Sequence, residues 1–424
     1  MTEPITLSRF FKRSATPLRG RNVAALDIGT SKVACLIAEN IDDGKSDDFI
    51  RVVGFGHQLS TGLSNGQVID MRAAGDSVRA AVEAAERMAE KDISRVIVGI
   101  SANRLESHIC EASVPLHGHA ISDEHMALAL RHAYEQNWRE GFEILHAIPL
   151  SYGIGADSRG ISNPLGMYGD ELNVTLHLMS APTGPLRNLL SCIEQCHLEC
   201  EKLVVTPYAS ALSTLVQDEV DLGALHIDMG GGTSSATIFY QGAPIFTTVL
   251  PIGGHHITRD IARGLNVSVS VAERAKTLHG SALATVQDER DQFEVPLLGG
   301  DHQMHPKSAL TKIIRPRLEE TFELIKQSLE ASGLEQFAGR RVVLTGGAAL
   351  LVGVPEIAQE ILEKQPRIAS PMRITGLPEA AASPAFAACA GLLTYAGRAH
   401  DDAALAVTSN GIMRWIGDWF RGPF

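Results

Sequence analysis

The chain has 424 residues, of which 45% are hydrophobic and 20% are charged, and its formal net charge is −12. This length exceeds a single compact core, so two or more domains are expected. No apolar run approaches the roughly 18–20 residues of a membrane-spanning helix, and the first residues contain no apolar signal-peptide region. The six cysteines have no disulfide-like spacing, which predicts a reducing, cytoplasmic environment.

The charge is unevenly distributed. Residues 1–21 contain five basic residues and one acidic residue, and residues 411–424 contain two arginines and one aspartate. These segments carry +4 and +1, which leaves −17 for the residues between them. An acidic body repels phosphates, so we expect no nucleic-acid partner, whereas the basic ends suit an anionic surface. For residues 1–21, a solvated tail that binds no surface is an equally supported interpretation.

In chain order, the first predicted element is a β-hairpin in "NVAALDIGTSKVACLIAEN", with its turn at Gly29–Lys32. A helix at about 70–91 and a strand at 94–101 follow. Residues 101–180 combine strand-like runs with one helix, which indicates a small α+β unit. Another helix is expected at about 184–200.

The second half opens with "GALHIDMGGGTSSATIFYQGAPIFTTVLPIGG" at 223–254. It repeats the pattern of residues 22–39, in which an apolar run is followed by Asp, Gly, Thr or Ser, and a second apolar run. This indicates an internal duplication. A strand at 340–354, an Ala-rich helix at 383–399 and a polar linker at 400–410 complete the pattern.

Both hairpins have the composition of a phosphate-binding turn. Glycine lets the backbone N–H groups approach a phosphate without an intervening Cβ, and hydroxyl groups add donors. The carboxylates of Asp27 and Asp228 are suited to hold hydrated Mg²⁺, which bridges phosphate oxygens. Either hairpin alone is more often a plain β-turn. The predicted residues of the two turns are Asp27, Gly29, Thr30, Ser31, Lys32, Asp228, Gly230, Gly231, Gly232 and Thr233.

Two further motifs favour a nucleotide. "LTGGAALLVGV" predicts a strand, a turn at Gly346, Gly347 and Ala348, and the start of a helix, which suits the base and the α-phosphate. "VAERAKTLHG" places Glu273 and Lys276 three residues apart on one helix face, from which they can reach a ribose or a base.

The two hairpins and the strand–Gly-Gly–helix motif, in this order, resemble the phosphate-1, phosphate-2 and adenosine motifs of the actin/Hsp70/sugar-kinase superfamily. "VVTPYASALSTL" (204–215) and "SPAFAACAGLLTY" (383–395) resemble its two connecting helices. Within the superfamily, "LPIGGHHITRDIA", "AERAKTLHGSA", "IIRPRLEE", "VLTGGAALLVG" and the insert at 101–180 resemble the FtsA family of bacterial cell-division proteins over nearly the full length. The resemblance implies an α/β, actin-like two-lobed ATPase fold with a small α+β subdomain inserted in the first lobe.

The resemblance also implies a domain division and a function. The first lobe is expected at 22–100, 181–222 and 372–399, with the insert at 101–180. The second lobe is expected at 223–256 and 317–371, with a small subdomain at 257–316. The remaining segments are a basic tail at 1–21, a linker at 400–410 and an amphipathic helix at 411–424. The implied function is to bind ATP and Mg²⁺, to polymerise and to tether the tubulin-like protein FtsZ, alongside other division proteins. The implied location is the cytoplasmic face of the inner membrane at the division site. Arg315 and Arg317 are the expected contacts for the acidic FtsZ tail.

One position departs from the superfamily pattern. Hydrolysing members carry a water-positioning Gln or Glu before the first connecting helix, where this chain has Thr206, and Glu201 lies five residues earlier. We therefore expect slow hydrolysis, and whether the protein is an enzyme stays open. A pilus assembly protein of the PilM kind and a sugar or acid kinase remain alternatives.

Other clusters predict no site. Cys192, Cys196 and Cys200 are expected as small buried residues on a packed helix rather than as metal ligands. The histidine pair 255–256 and the histidines at 302 and 305 are expected in loops, with structural or solvent-exposed roles.

Residues 411–424 predict an interfacial amphipathic helix. At about 100° per residue, the apolar side chains fall within an arc of roughly 160°, with Asp418 and the arginines opposite. Docking of this helix on the protein itself is the alternative. The expected membrane residues are Ile412, Met413, Trp415, Ile416, Trp419 and Phe420 on the apolar face, and Arg414 and Arg421 toward anionic lipid.

Overall fold

A computed structural model of the chain describes residues 22–40, 50–155, 158–296, 302–372 and 374–397. The expected hairpin is present, and a third antiparallel strand and a parallel strand extend it into a sheet. A helix covers one face of this sheet through buried Ala and Val side chains. The elements are β1 (Asn22–Ile28), β2 (Lys32–Asn40), β3 (Ile50–Leu59), β4 (Leu63–Ser64), β5 (Gln67–Val68), α1 (Met71–Ala89) and β6 (Arg95–Ile100).

The next unit is the expected small α+β unit. Its four strands form an antiparallel sheet in the order β7-β10-β8-β9, and a helix packs on one face over a separate apolar core. Ser122 is the N-cap residue of the helix, and its N–H donates to Nδ1 of His125 at 3.2 Å. The elements are β7 (Glu106–Pro115), α2 (Asp123–Asn137), β8 (Phe142–Ile154), β9 (Ser158–Ile161) and β10 (Glu171–Pro182).

The chain then returns to the first sheet through α3 (Thr183–Gln195), β11 (Glu199–Val205), α4 (Thr206–Thr214) and α5 (Gln217–Leu222). The prediction that one helix runs to residue 200 is wrong. The helix ends at Gln195 with Cys196 as its C-cap, His197 adopts a left-handed φ of 61°, and Cys200 lies in β11. Strand β11 pairs in parallel with β6, so sheet formation limits the helix. Cys192, Cys196 and Cys200 are buried, as expected, but not on one helix face.

The second lobe repeats the first sheet. The orders β3-β2-β1-β6-β11 and β14-β13-β12-β17-β18 have the same sequence of two antiparallel and two parallel pairings. The internal duplication is thereby confirmed. The elements are β12 (Ala224–Met229), β13 (Ser234–Tyr240), β14 (Ala243–Leu250), α6 (Gly254–Leu265), α7 (Val269–His279), β15 (Gln292–Pro296), β16 (His302–Pro306), α8 (Lys307–Ser332), β17 (Arg341–Thr345), α9 (Val354–Leu362), β18 (Gln365–Ile368) and α10 (Ala387–Gly397).

Three predictions about this half need correction. The histidines at 255 and 256 lie in the first turn of α6, and those at 302 and 305 lie in β16, so none of the four is in a loop. Helix α8 also runs without interruption through Pro316, across the expected boundary between residues 316 and 317.

Helices α4 and α10 pack against each other, and α4 contacts strands of both lobes. A Cβ on Gly391 of α10 would lie 1.7 Å from the carbonyl oxygen of Ala209 in α4. Only glycine permits this approach of the two backbones. Thr206 at the start of α4 and Ala388 in α10 both line the space between the lobes.

Candidate functional site

The two glycine turns meet each other across the space between the lobes. Each turn is closed by the same hydrogen bond, from the Gly29 N–H to the Lys32 carbonyl (3.0 Å) and from the Gly230 N–H to the Thr233 carbonyl (2.9 Å). A Cβ on Gly232 would lie 2.5 Å from Oγ1 of Thr30. Residue 232 must be glycine for the two turns to come this close. The missing side chain also lets a ligand reach the backbone N–H groups.

Asp27 and Asp228 lie behind these turns at the floor of the cleft. Burial raises the pKa of the Asp27 carboxyl, and the charge of Lys32 opposes this rise. Burial raises the pKa of Asp228 to about 6, where the charge of Asp27 adds to the rise and a hydrogen bond from Ser210 opposes it. Asp27 is buried and Asp228 is half-buried, and a negative charge on Asp27 disfavours a second one on Asp228, so a bound cation would stabilise the pair. The pair therefore fits a hydrated Mg²⁺ between the carboxylates and a phosphate.

The third motif forms a wall of the cleft beside Asp228. After β17, Gly346 adopts a φ of 87°, and a Cβ there would lie 2.5 Å from Oδ1 of Asp228. The predicted helix start is a short 3₁₀ helix at Gly347–Leu350. Gly347 is less crowded, since an added Cβ would have Ala385 as its nearest neighbour at 3.7 Å.

Glu273 and Lys276 share a face of α7, as their spacing predicts. The Lys276 ammonium donates to Oε2 of Glu273 (2.7 Å), to Oγ1 of Thr258 (2.8 Å) and to the carbonyl of Gly254 (3.1 Å). Glu273 also accepts a hydrogen bond from Thr258. These contacts tie α7 to the first turn of α6 and hold both side chains at the edge of the cleft.

The space between the lobes is a cleft of about 370 Å³, within the size range of small-molecule sites. It brings together all of the residues predicted to bind nucleotide. They are Asp27, Gly29, Thr30, Ser31, Lys32, Asp228, Gly230, Gly231, Gly232, Thr233, Glu273, Lys276, Gly346, Gly347 and Ala348.

Sequence reasoning missed several residues of the same cleft. Ser101, Ser235, His255 and Ala385 line it as well. Ser101 follows β6, which lies beside β1, so pairing of the parallel strands was the signal that could have placed it. His255 directly follows the Gly-Gly pair of "LPIGGHH". Helix α6 begins at the second glycine of this pair, beside the glycine turn of the second lobe.

Thr206 lies in the cleft at the position where a water-positioning group was expected. Its Oγ1 is 2.7 Å from Oγ of Ser101, and its side chain is buried. Glu201 instead pairs with Arg95 at 3.5 Å. Residue 206 itself thus offers a hydroxyl group instead of a carboxylate or an amide, which is the basis for expecting slow hydrolysis.

The two arginines predicted to contact a partner lie on α8, outside the cleft. Arg315 pairs with Glu319 (2.6 Å) and Glu360 (2.8 Å). Arg317 pairs with Asp260 (2.7 Å) and also with Glu320. An acidic peptide would have to compete with these carboxylates.

The membrane residues predicted within 411–424 lie outside the described residues. In the described part of the chain, no helix is long and apolar enough to cross a membrane. The same part contains no group of three or more His, Cys, Asp or Glu side chains arranged to hold a metal ion.

Comparison with known proteins gives the family. The family model described as cell division protein FtsA matches residues 225–391, and the SHS2 domain inserted in FtsA matches residues 102–180. The cell division protein FtsA of Agrobacterium fabrum is 42% identical, with 89% of this chain and 87% of the relative covered. The chain belongs to the FtsA family. FtsA of Escherichia coli K12 is 31% identical, with 94% of this chain and 96% of the relative covered.

Solved structures support the fold of this FtsA-family chain. The PilM-PilN type IV pilus biogenesis complex aligns with a TM-score of 0.63 at 18% identity, covering 88% of this chain and 98% of that one. MreB5 of Spiroplasma citri, solved bound to ADP, aligns with a TM-score of 0.51 at 16% identity, covering 88% and 96%. The expected actin-like fold with an inserted subdomain is confirmed. The insert match coincides with the predicted range of 101–180.

Proposed function

We propose that this FtsA-family protein is a division scaffold that binds ATP and Mg²⁺, forms actin-like filaments and tethers FtsZ to the inner face of the cytoplasmic membrane. The observation that carries the proposal is the cleft, where two glycine turns, two carboxylates and the cations of Lys32 and Lys276 converge. A nucleotide in this cleft contacts both lobes, so its binding can favour one arrangement of the lobes over another.

The roles of the cleft residues follow from their chemistry. Asp27 and Asp228 would hold Mg²⁺ through water, and the ion would neutralise charge on the phosphates. The backbone N–H groups and hydroxyls of the two turns would bind phosphate oxygens. Gly346, Gly347 and Ala348 would pack against the base side of the nucleotide. Hydrolysis would be slow, because Thr206 supplies no general base.

The proposed FtsZ contact is a basic site on α8. Arg315 and Arg317 are partly exposed and already satisfied by carboxylates, so an acidic tail would exchange one set of ion pairs for another. Such an exchange yields little net free energy for each pair. We therefore expect weak, salt-sensitive binding of the tail to a single protein molecule.

The proposed membrane anchor is the segment 411–424, and its support is the amphipathic pattern of the sequence. Six apolar side chains give an affinity on the order of a single acyl chain, about 10⁴ M⁻¹. A filament that presents many such helices gains avidity without a new contact. This property would couple assembly to attachment at the membrane.

A titration with a fluorescent ATP analogue, with Mg²⁺ and then with EDTA, tests the nucleotide proposal. We expect Mg²⁺-dependent binding, and no binding under either condition would contradict it. Pelleting with anionic liposomes and an FtsZ tail peptide tests the tether. Recovery of the peptide in the pellet only when protein is present is the expected result, and Arg315→Glu with Arg317→Glu should reduce it.

A further inference from the structure

His255 is fixed against the turn of the second lobe by the backbone of α6. The N–H of Gly254 donates to the carbonyl of Gly230 at 2.9 Å, and the N–H of His255 donates to the carbonyl of Gly231 at 2.8 Å. These bonds join the first turn of α6 to the glycine turn after β12. The His255 side chain lines the cleft as a result.

The backbone of Gly231 lies between His255 and the first lobe. A Cβ on Gly231 would lie 2.7 Å from Cβ of Ser31 on one side and 3.4 Å from both Cε1 and Nε2 of His255 on the other. The imidazole thus reaches the place where the two glycine turns meet. An anion bound by the N–H groups of these turns would lie beside it.

The other cations of the cleft are already engaged. The Lys276 ammonium contacts the Glu273 carboxylate at 2.7 Å, and the Lys32 ammonium lies 4.7 Å from the ring centre of Phe386. His255 differs from these two lysines because its charge can change near neutral pH. The ionisable groups around His255 are His256 and Arg259 on its own helix, Glu273 and Lys276 on α7, and Asp27, Lys32 and Asp228 across the cleft.

We propose that His255 binds the terminal phosphates of the nucleotide as an imidazolium, so that nucleotide binding takes up a proton. This inference rests on the nucleotide-binding function proposed above. It adds a phosphate contact from α6 to those of the two turns.

The direction of the pH dependence follows from the charges. In the protein without nucleotide, burial lowers the pKa of His255, and the positive charges of Lys276, Arg259 and His256 lower it further against the opposing charge of Glu273. The imidazole is then neutral near neutral pH. A bound polyphosphate favours the charged form and raises this pKa. Affinity should therefore increase as the pH falls through the interval between the two pKa values.

The test compares His255→Gln with His256→Gln. His256 is a matched control because its Nδ1 accepts a hydrogen bond from the N–H of Gly253 at 3.1 Å, a capping contact that glutamine at this helix position can also make. The affinity for Mg-ATP, and for inorganic triphosphate as a probe without a base, would be measured from about pH 8 to about pH 6. Comparison of the variants at equal pH cancels the titration of the phosphates themselves.

The wild type should bind more tightly than His255→Gln by a ratio that grows toward low pH, up to about tenfold for each unit of pKa change. His256→Gln keeps the His255 imidazole and should show the same increase in affinity toward low pH, with its midpoint moved slightly upward because a neighbouring charge is lost. Parallel profiles for the wild type and His255→Gln would overturn the inference while leaving ATP binding intact. If His255→Gln does not fold, the histidine NMR resonances of the wild type are titrated with and without nucleotide. The inference fails if no histidine has a higher pKa when the nucleotide is bound. A wild type that binds no ATP at any pH overturns the proposed function as well.

Discussion

Asp27 and Asp228 occupy equivalent positions in the two lobes, each next to last in its central strand. The parallel neighbour of Asp27 is Gly99 in β6, and that of Asp228 is Thr345 in β17. The charge of Asp27 contributes to the raised pKa of Asp228. The duplicated hairpins thus bring two carboxylates close together, although the residues are 201 positions apart in the chain.

Replacing Asp228 should have opposite effects on binding and on stability. Asp228→Ala and Asp228→Asn should each abolish Mg²⁺-dependent ATP binding, because the metal-side carboxylate is lost. The pKa of Asp228 is raised from 3.8 to about 6 in the folded protein, so between these values the folded protein holds a proton that the unfolded chain has released. The stability of the ligand-free protein therefore decreases as the pH rises through this interval, by at most about 3 kcal/mol.

Asp228→Asn has no carboxyl group to ionise, so it avoids this loss of stability. The variant should therefore raise the melting temperature of the ligand-free protein at neutral pH. Thermal unfolding at several pH values, with and without Mg-ATP, checks both effects. A variant that binds Mg-ATP as tightly as the wild type would refute the assignment of the site.

Gly346→Asp should also abolish ATP binding. The residue has a φ of 87°, and any Cβ would lie 2.4 Å from the carbonyl oxygen of Met229. A side chain at this position is strained and adds negative charge beside Asp228. Gly347→Ala is the control for folding, because its Cβ meets only an ordinary contact at 3.7 Å. Circular dichroism and ATP titration on both variants make the comparison, and unchanged affinity in Gly346→Asp would count against this wall of the cleft.

Turnover should be slow. Thr206 faces Ser101 at 2.7 Å in the position where a carboxylate or an amide would orient water. We therefore expect phosphate release well below the roughly 10 s⁻¹ of a typical enzyme, even when the protein is saturated with ATP. A steady-state phosphate assay at saturating Mg-ATP measures it. A rate in the ordinary enzyme range would show that another residue positions the water and would favour a kinase-like activity.

An ion pair between Glu219 and Arg367 connects α5 to strand β18 of the second lobe. The Arg367 guanidinium donates to both carboxylate oxygens, at 2.8 Å from Nε and 2.5 Å from Nη2, and Nη2 also donates to the carbonyl of Thr214 at 3.0 Å. The Glu219 side chain is 1% exposed. Arg367→Ala leaves this carboxylate with Arg341 at 3.9 Å as its nearest cation. Arg367→Ala should therefore lower the free energy of unfolding by about 3 kcal/mol at neutral pH.

The effect should depend on pH. Burial alone raises the pKa of Glu219, but the hydrogen bonds from Arg367 and the Val216 N–H and the charges of Arg367 and Arg341 outweigh burial and lower it. The stabilisation is therefore present above the ordinary pKa of 4.5 and lost as the pH falls through the lower folded value. Urea unfolding of the wild type and Arg367→Ala at about pH 7 and about pH 4 should show the difference shrinking. An equal difference at both pH values would mean that lost packing, not charge, explains the effect.

Local patterns predicted the glycine turns, because a strand, an aspartate and a glycine turn are contiguous in the sequence. They also predicted the insert, whose strands and helix are sequential. The contacts that depend on distant partners were not predictable. Glu219 meets Arg367 across 148 positions, and the end of α3 depends on the pairing of β11 with β6. His255 was missed for the same reason, since its role depends on where α6 meets Gly231.

Trp419→Glu should detach the protein from membranes; the residue belongs to the segment 411–424, outside the described residues. Trp419→Glu places a charge in the centre of the apolar arc, where burial at headgroup depth is unfavourable. A single helix binds only about as strongly as one acyl chain, so this loss should release both the protein molecule and the filament from anionic liposomes. ATP binding and recognition of the FtsZ tail should persist, because the cleft and α8 are elsewhere.

Trp138→Glu provides the matched control for this change. Trp138 is 51% exposed at the end of α2, so the same substitution there adds a charge without touching the proposed anchor. Liposome pelleting of both variants and the wild type, at low and high salt, is the measurement. Release by Trp419→Glu but not by Trp138→Glu is the expected outcome. If Trp419→Glu pellets as well as the wild type, the segment is not the anchor, and the basic "LSRFFKR" at 7–13 becomes the candidate, because its three cations and two phenylalanines also suit an anionic surface.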